Sequence, residues 1–352
     1  MDNRYFSDKV VKWYLQNMRD LPWRQTRDPY KIWLSEILLQ QTRVSQGLPY
    51  YLRFVETFPD VKTLAAASEQ EVLRLWQGLG YYTRARNLHK CAKEVVSTFK
   101  GTFPSTFEGL KQLPGIGDYT AAAIASICFR EPVAVVDGNV FRVLSRVFGI
   151  DHAINSPEGK KHFSSLANTL VTKSNPDIYN QAVMEFGALH CTPKKPLCND
   201  CPFQARCFAA QKDLQLKLPV KLKGKAARKR YFNYFVIKKG NSLLMKKRAH
   251  KDIWYGLYDF YLIETKRSVR ISKLVSEDPL LKKLRVRADA EAYKKYKHIL
   301  SHQVIISSFT ILENGDHSMQ KEKTMKFFSP AKIADLPKPV LISRFLEDYQ
   351  LL

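Results

Sequence analysis

The 352 residues are enough for about two domains, each with a core of its own. Lysine and arginine number 57 against 33 acidic residues, and the net charge of +24 is typical of a protein that binds a polyanion, with nucleic acid favoured over an anionic membrane. A hydrophobic content of 45% excludes general disorder, and no apolar run reaches the roughly 18 residues of a membrane helix. The N-terminal segment lacks the apolar centre of a secretory signal, so we expect a cytoplasmic protein, in which structural disulfides are uncommon.

The first part of the chain has the pattern of helices. Asp28 and Pro29 form a typical helix start, with Asp as the N-cap and Pro at the first helical position. Apolar residues follow at helical spacing, namely Tyr30, Trp33, Leu34, Ile37 and Leu38. Further helices are predicted over 68–77, 84–99, 118–129, 139–148, 157–172 and 177–189.

The pattern changes after a basic stretch, residues 213–230, which holds seven basic residues and one acid. We interpret it as an exposed linker, either a solvated tether or a chain that follows a phosphate backbone. Beyond it, residues 231–248 predict a β-hairpin that turns at KKGN. Strands are also predicted over 255–264, 302–313 and 323–330, with a closing helix over 342–352. The expected architecture is an all-α domain over 1–212 and a smaller α+β domain over 231–352.

Four of the six cysteines have the spacing of a metal site. Cys191, Cys198, Cys201 and Cys207 are separated by six, two and five residues. Four thiolates this close together suit one tetrahedral metal ion or one iron–sulfur cluster. The spacing alone leaves zinc and a [4Fe–4S] cluster as alternatives, and disulfides as a third. The other two cysteines stand alone among apolar neighbours and are expected to be buried.

A glycine-containing turn follows the short helical run FEGLKQL. The segment 113–124 reads LPGIGDYTAAAI, in which Gly115 and Gly117 permit a tight turn and the close approach of another backbone. The free N–H groups and positive dipole end of the next helix would face an anion. This pattern predicts a helix–hairpin–helix that holds a DNA phosphate, with a plain helix–helix turn as the alternative.

Two carboxylates are candidates for acid and anion chemistry. Glu36 lies in the helix after Asp28, roughly 130° from the centre of its apolar stripe. Asp137 follows an extended apolar run and precedes the helix near Asn139, where an N-cap is the alternative role. Cleavage of a glycosidic bond uses such a pair, one group as an acid and the other as a stabilising anion.

These segments together resemble a known family. DLPWR, DPYKIWLSEILLQQTRV, LWQGLGYYTRARNLH, LPGIGDYTAAAI, AVVDGNVFRVLSR and QAVMEFGALHC, with the four cysteines, closely resemble the adenine DNA glycosylases of the MutY family. This family belongs to the helix–hairpin–helix base-excision superfamily. The resemblance covers nearly all of residues 20–207, and residues 230–352 resemble the family's Nudix-like C-terminal domain more weakly.

The resemblance implies a fold, a cofactor and a substrate. A six-helix barrel module would span about 28–136, and residues 1–27 and 137–212 would form the iron–sulfur cluster module. The implied cofactor is a [4Fe–4S] cluster on Cys191, Cys198, Cys201 and Cys207. The implied partner is double-stranded DNA in which adenine faces 8-oxoguanine or guanine, bound by a monomer at the bacterial nucleoid.

The resemblance also assigns catalytic roles. Glu36 would protonate N7 of adenine, and Asp137 would stabilise the cation at the sugar C1′. Tyr119 and Asn139 match positions that hold these groups, and Arg24 matches a further active-site position. In strand-nicking relatives a lysine stands at the place of Tyr119, and only an amine can form a Schiff base there. We therefore expect a glycosylase without a lyase step.

Other matched positions would contact DNA. Gln41 and Tyr81 match residues that intercalate beside the lesion pair, with Leu39 nearby. Arg84 and Arg86 are available for phosphates. Tyr81 could alternatively belong to a packed helix end.

The C-terminal domain lacks the glutamate-rich motif with which Nudix hydrolases bind Mg²⁺, so binding is expected there rather than hydrolysis. Leu300, Ser301 and His302 stand where the family has a Phe-Ser-His loop that contacts 8-oxoguanine, unless they merely begin a strand. Two rival functions remain open, a bifunctional endonuclease for oxidised pyrimidines and a catalytically inactive DNA-binding protein.

Overall fold

The computed structural model describes residues 2–224, 226–249, 252–283, 294–300, 302–313 and 324–351. The chain divides into two compact units. The first unit contains residues 1–67 and 86–223, and the second contains residues 68–85 and 224–352. The sequence does not predict that residues 68–85 join the second unit. Within the described residues, no helix combines the length and the apolar character needed to cross a membrane.

The predicted helices are confirmed, and their ends differ by two residues or fewer except in the closing helix, which was predicted over 342–352 and is found at Val340–Asp348. The helices of the described residues are α1 Asn3–Asn17, α2 Pro29–Leu39, α3 Val44–Thr57, α4 Val61–Ala66, α5 Glu69–Leu75, α6 Thr83–Phe99, α7 Phe107–Lys111, α8 Asp118–Phe129, α9 Gly138–Phe148, α10 Pro157–Leu170, α11 Pro176–Leu189, α12 Phe208–Gln211, α13 Ile271–Glu277, α14 Pro279–Lys283, α15 Pro330–Asp335 and α16 Val340–Asp348. Two 3₁₀ turns cover Pro22–Arg24 and Gln204–Arg206. The pattern misses α3 because Gly47 and Pro49, both poor helix formers, lie inside it.

Helix α2 begins as the sequence predicts. The Asp28 carboxylate accepts a hydrogen bond of 2.9 Å from the backbone N–H of Tyr30, and Pro29 occupies the first helical position. Trp33, Leu34 and Leu38 are fully buried. Helix α2 packs against α3 and α8, which fixes the face that carries Glu36.

A second set of helices in this unit surrounds one apolar core. Helices α1, α9, α10 and α11 contribute fully buried side chains to it, among them Phe6, Val143, Phe163 and Phe186. Cys207 belongs to the same core, so the loop that carries the four cysteines is packed against these helices. Burial of a side chain of this size stabilises the folded state by about 1.5–3 kcal/mol.

The basic stretch differs from a free tether over residues 218–222. Leu218 is buried, and its carbonyl accepts a bond of 3.0 Å from Arg146 Nε. The backbone of Leu222 exchanges hydrogen bonds with the Asn155 side chain. These bonds fix the backbone along the first unit, while Lys217, Lys221, Lys223 and Lys229 are exposed. Arg230, the last residue of the stretch, is buried, so the prediction of an exposed linker is wrong at this end.

The second unit is built on a mixed sheet. The strands are β1 Arg228–Lys239, β2 Ser242–Lys247, β3 Tyr258–Asp259, β4 Tyr261–Thr265, β5 Lys294–Ile299, β6 Gln303–Glu313 and β7 Met325–Phe328. Their order is β3-β2-β1-β6-β5, with β4 paired to β1 and β7 to β2. The predicted hairpin is confirmed by the antiparallel β1–β2 pairing, whereas β1 and β6 run parallel. Helices α15 and α16 cover one face of the sheet. There the rings of Phe309 and Phe345 stack with their centroids 4.1 Å apart.

Candidate active site

Glu36 lies in the last half of α2 in a partly buried position. The pKa of its carboxyl is raised to about 7, mainly by burial and to a smaller extent by the negative charge of Asp137, while a hydrogen bond from Tyr119 lowers it. Because the charged form is disfavoured by desolvation, the carboxyl retains its proton near neutral pH. It can therefore act as a general acid.

Tyr119 stands in the first turn of α8, directly after the glycine turn. Its hydroxyl hydrogen-bonds the Glu36 carboxyl, and its oxygen lies 3.7 Å from Met184 Sδ on α11. Burial and the two neighbouring carboxylates hold the pKa of Tyr119 well above its usual value. The phenol thus remains protonated and orients Glu36.

Asp137 is the N-cap of α9, so the alternative role considered for it is confirmed. Oδ1 accepts bonds of 2.8 Å from the backbone N–H groups of Asn139 and Val140. Oδ2 accepts a bond of 2.7 Å from Asn139 Nδ2. Burial raises the pKa of Asp137, while these three bonds lower it. The cap does not exclude a second role, because the charge of Asp137 acts on Glu36.

Four predicted residues therefore come together from three helices, and we call Glu36, Tyr119, Asp137 and Asn139 the carboxylate site. The site combines a protonated carboxyl with a carboxylate whose position is fixed by backbone donors. One carboxyl can deliver a proton to a leaving group while the other stabilises positive charge.

Two arginines that the sequence analysis missed connect the carboxylate site to the cysteines. Arg142 Nη2 donates to Asn139 Oδ1 at 2.9 Å, and Arg142 Nε donates to the carbonyl of Cys191 at 2.7 Å. One turn later, Arg146 Nη1 lies 3.4 Å from Cys191 Sγ and donates to the Thr192 carbonyl at 2.8 Å. The sequence did contain a signal for these buried arginines, because Arg142 and Arg146 are four residues apart on the apolar face of α9.

Arg24 is engaged in a buried ion pair. Its Nη1 and Nη2 donate to the two oxygens of Glu185 at 2.8 and 2.6 Å, and Arg19 binds the same carboxylate. Burial would raise the pKa of Glu185, but the bonds from Arg19 and Arg24 outweigh it and hold the pKa at about 2. Glu185 was not predicted, although a single acid in an apolar helical segment was the signal for it.

Arg24 also lines a cavity of about 360 Å³. Its other walls include Trp23, Arg27, Asp177 and Gln181, where Arg27 donates to Asp177 Oδ2 at 2.8 Å. The side chains of Ile127 on α8 and Ile178 on α11 complete its apolar lining. A volume of this size lies within the range of small-ligand pockets.

The four cysteines line a single cavity with Arg146, His190 and Gln215. Burial raises the thiol pKa of Cys198, Cys201 and Cys207, and the charge of Cys191 contributes to each shift. Among the described residues, no three His, Cys, Asp or Glu side chains are gathered closely enough for a single metal ion. Four sulfur donors around one space nevertheless fit an iron–sulfur cluster, which binds through Cys thiolates.

The glycine turn has the predicted geometry. Gly115 has φ +77°, and a Cβ there would lie 2.6 Å from Asn87 Cβ, so no other residue fits without displacement. Gly117 is the N-cap of α8 and makes no side-chain cap bond, and space is open around its Cα. The N-terminus of α8 therefore offers backbone donors to an anion.

Of the predicted DNA contacts, Gln41 and Tyr81 are both exposed and have φ angles of +56° and +49°. Such angles are uncommon outside glycine and cluster at functional loops. Leu39 is partly buried at the end of α2. Arg84 lies over the rings of Trp76 and Tyr81, and Arg86 is partly buried in α6.

Of the predicted lesion-reading residues, Leu300 directly follows β5 and His302 directly precedes β6. Leu300 packs against the sheet core, which accounts for an aliphatic residue there. His302 is exposed, and its carbonyl accepts a bond of 3.0 Å from the N–H of Arg228. Ser301 lies outside the described residues.

Comparisons with known proteins were made for both units. Residues 34–168 match the HhH-GPD superfamily of base excision DNA repair proteins, and residues 233–348 match the NUDIX domain. An adenine DNA glycosylase of Buchnera aphidicola subsp. Schizaphis graminum is 32% identical, over 98% of this chain and 99% of its own. The adenine DNA glycosylase of Rattus norvegicus is 47% identical over 59% of this chain and 42% of its own. A thermostable thymine-DNA glycosylase structure, 31% identical, covers 60% of this chain and 97% of its own with a TM-score of 0.56.

The raised pKa of Glu36 leads to a pH-dependent prediction. A step that needs the Glu36 proton is expected to slow about tenfold per pH unit as the pH rises above about 7. The rate should also fall in acid, where Asp137, whose pKa is raised, takes up a proton. Single-turnover release of adenine from duplex DNA measures both limbs of the pH profile.

Glu36→Gln removes the proton donor and should lower the rate of adenine release in the same assay by about 10²–10⁴-fold.

Tyr119→Phe is the control for this assignment. It removes the hydrogen bond that lowers the pKa of Glu36, so the alkaline limb should move to higher pH. An alkaline limb that stays in place in Tyr119→Phe would contradict the assignment of Glu36 as the acid.

Proposed function

The chain belongs to the adenine DNA glycosylase family, and from this premise we propose that it hydrolyses the N-glycosidic bond of adenine paired with 8-oxoguanine or guanine. The observation that carries the proposal is the carboxylate site, in which Glu36, with a pKa raised to about 7, stands with Asp137, whose two oxygens accept three hydrogen bonds. The net charge of +24 and the uncapped N-terminus of α8 support binding of a DNA backbone.

The chemistry follows from the two carboxyl groups. The glycosidic bond cannot be reached inside the stacked duplex, so the adenine nucleotide must first be extruded. Glu36 then donates its proton to N7, which makes the base a better leaving group. Asp137 stabilises the positive charge at C1′ until water adds. Tyr119 orients Glu36, and Asn139 holds Asp137 through its amide.

The cavity lined by Arg24 is our candidate for the site that receives the extruded base. Its apolar wall, Trp23 and Ile178, suits a base face, and its polar wall includes Gln181. Asp177 Oδ1 is buried and makes no hydrogen bond to any described residue, so it is an available acceptor for an amino group. The pair of Arg24 and Glu185 fixes the end of this wall.

The absence of an amine at position 119 determines the reaction type. A lyase needs a nucleophilic amine that forms a Schiff base with C1′, and a phenol cannot do so. We therefore expect the protein to release adenine from a duplex with an A:8-oxoguanine pair and to leave the strand intact. The assay is single-turnover cleavage, with borohydride added in parallel to trap any covalent amine adduct.

Three results of this assay are informative. Adenine release without a trapped adduct supports the proposal. A trapped adduct on a duplex with an oxidised pyrimidine would instead indicate the bifunctional endonuclease, and tight binding without release would indicate an inactive DNA-binding protein. Glu36→Gln is the matched control, since it should bind the duplex and release adenine about 10²–10⁴-fold more slowly.

The turn between β5 and β6 supports the preference for 8-oxoguanine. This base differs from guanine by a hydrogen at N7 and an oxygen at C8. A protein that distinguishes the two bases therefore needs polar groups that hydrogen-bond to these positions. The exposed His302 is available for such a bond, and Ser301 is the second candidate. His302→Ala should lower the ratio of rates on A:8-oxoguanine and A:G by roughly two- to tenfold, the value of one hydrogen bond. His152→Ala, in the first unit, serves as control and should leave the ratio unchanged, whereas an unchanged ratio in His302→Ala would place lesion reading elsewhere.

The cofactor proposed for Cys191, Cys198, Cys201 and Cys207 is a [4Fe–4S] cluster. Such a cluster, when bound, cross-links the cysteine segment and adds charge and electron-transfer capacity. The backbone carbonyl and sulfur of Cys191 receive bonds from Arg146, which partly neutralises the charge of a thiolate ligand. No catalytic step is assigned to the cluster.

Metal analysis tests this proposal. The purified protein should absorb broadly near about 400 nm and contain iron rather than zinc. Cys198→Ser should lower the absorbance and destabilise the fold, because a hydroxyl is a poor ligand for iron. Cys91→Ser is the control, since Cys91 is buried in α6 and should leave the colour unchanged. A colourless protein with one zinc ion would overturn the proposal.

A further inference from the structure

The loop between α5 and α6 presents an aromatic side chain from a constrained backbone. We call residues 77–82 the wedge loop. Three of its residues have positive φ angles, Gly78 at 103°, Gly80 at 74° and Tyr81 at 49°. The ring of Tyr81 is 45% exposed, whereas its neighbours Leu79 and Tyr82 are buried. A non-glycine residue in this region is held there by its surroundings, because the conformation is unfavourable by itself.

Two contacts inside the segment shape the wedge loop. Trp76 Nε1 donates to the carbonyl of Gly80 at 2.9 Å, which closes the loop onto a fully buried indole. The guanidinium of Arg84 lies 5.1 Å from the Trp76 ring and 5.6 Å from the Tyr81 ring. Arg84 therefore supports one face of Tyr81 through a cation–π contact.

The remaining contacts come from the junction of α15 and α16, 256 residues further along the chain. The Tyr82 hydroxyl donates to the carbonyl of Lys338 at 3.2 Å, in a buried position. The backbone N–H of Lys338 donates to Gln77 Oε1 at 3.4 Å, and Gln77 Nε2 donates to Ser343 Oγ at 3.3 Å. The wedge loop is thus bound at its first and last residues by the same short segment.

The buried side chain of Lys338 is fixed by three backbone carbonyls. Its side chain is 2% exposed, and its ammonium donates to the carbonyls of Ile333, Leu336 and Ala334 at 2.6, 3.0 and 3.3 Å. These carbonyls belong to the end of α15, so the lysine caps that helix from inside. Pro337 and Pro339 flank it and restrict the backbone further. A segment this constrained can act as a rigid anchor for the wedge loop.

We propose that the C-terminal domain positions Tyr81 for insertion into the DNA stack, with Lys338 as the anchor and with Gln77 and Tyr82 as positioning residues. This inference rests on the proposed function, because it assigns an additional task to the domain expected to read the lesion. An exposed aromatic ring stacks on bases irrespective of sequence. Loss of the anchor should therefore affect A:8-oxoguanine and A:G duplexes alike, unlike loss of His302.

The test uses the full chain and a duplex that carries 2-aminopurine beside the mispair. The fluorescence of 2-aminopurine rises when its neighbour is unstacked, so it reports insertion independently of base release. Tyr81→Ala should abolish most of the rise. Gln77→Ala combined with Tyr82→Phe should lose a large part of it and slow adenine release by up to roughly 5- to 150-fold on both mispairs, the value of two neutral hydrogen bonds. The alkaline limb of the pH profile should stay in place, because the carboxylate site is intact.

Tyr296→Phe is the matched control. It removes a tyrosine hydroxyl bond of the same unit, 2.6 Å to Asp348, without touching the wedge loop, and its fluorescence rise should equal that of the wild type. If the double variant does not fold, Tyr82→Phe alone carries the test. A full fluorescence rise in the loop variants, or in Tyr81→Ala, would overturn the inference. Wild-type protein that unstacks the duplex and releases no adenine would instead refute the proposed function and leave the positioning role standing.

Discussion

The N-terminus of α9 is the constraint on which the first unit depends. The mechanism proposed for Asp137 needs its ionised form, yet burial raises the pKa of this carboxyl. Three hydrogen bonds from Asn139 and Val140 counter part of the cost of desolvation and fix both carboxylate oxygens. The capping bonds of α9 thus also hold the proposed catalytic group, and a variant that loosens the helix start should also displace its charge.

Two buried arginines of α9, Arg142 and Arg146, form further hydrogen bonds beyond its N-terminus. Arg142 binds Asn139 at one end and the Cys191 carbonyl at the other, and it also donates to the Gly187 carbonyl at 2.6 Å. Helices α9 and α11 can approach this closely because residue 187 is a glycine. Any other residue would place its Cβ 2.7 Å from Asn139 Cβ, which is too close. Removal of a buried arginine would leave several carbonyls unsatisfied, which costs about 1–3 kcal/mol for each group. The cysteine segment and the carboxylate site are therefore parts of one packed network.

Sequence alone predicted the elements with strong local signals. The cap at Asp28, the turn at Gly115 and the hairpin after residue 230 depend on neighbouring residues, and each is found where it was expected. The pairing of Glu185 with Arg19 and Arg24 could not be predicted, because it joins residues more than 160 positions apart. Helix α3 was missed for the opposite reason, since tertiary packing of Tyr51 and Phe54 overrides the poor propensity of its Gly and Pro. The placement of residues 68–85 in the second unit has no local signal at all.

That placement has a consequence for synthesis of the chain. Tyr82 leaves the ribosome long before Lys338, the residue that binds it, and 256 residues separate the two. At about 5–20 residues per second, the interval is roughly 13–50 s. During this time the nascent chain can fold its early helices, but the carbonyl that accepts the Tyr82 hydrogen bond has not yet been synthesised. On the positioning role proposed above, Tyr81 would reach its final conformation only when translation is nearly complete.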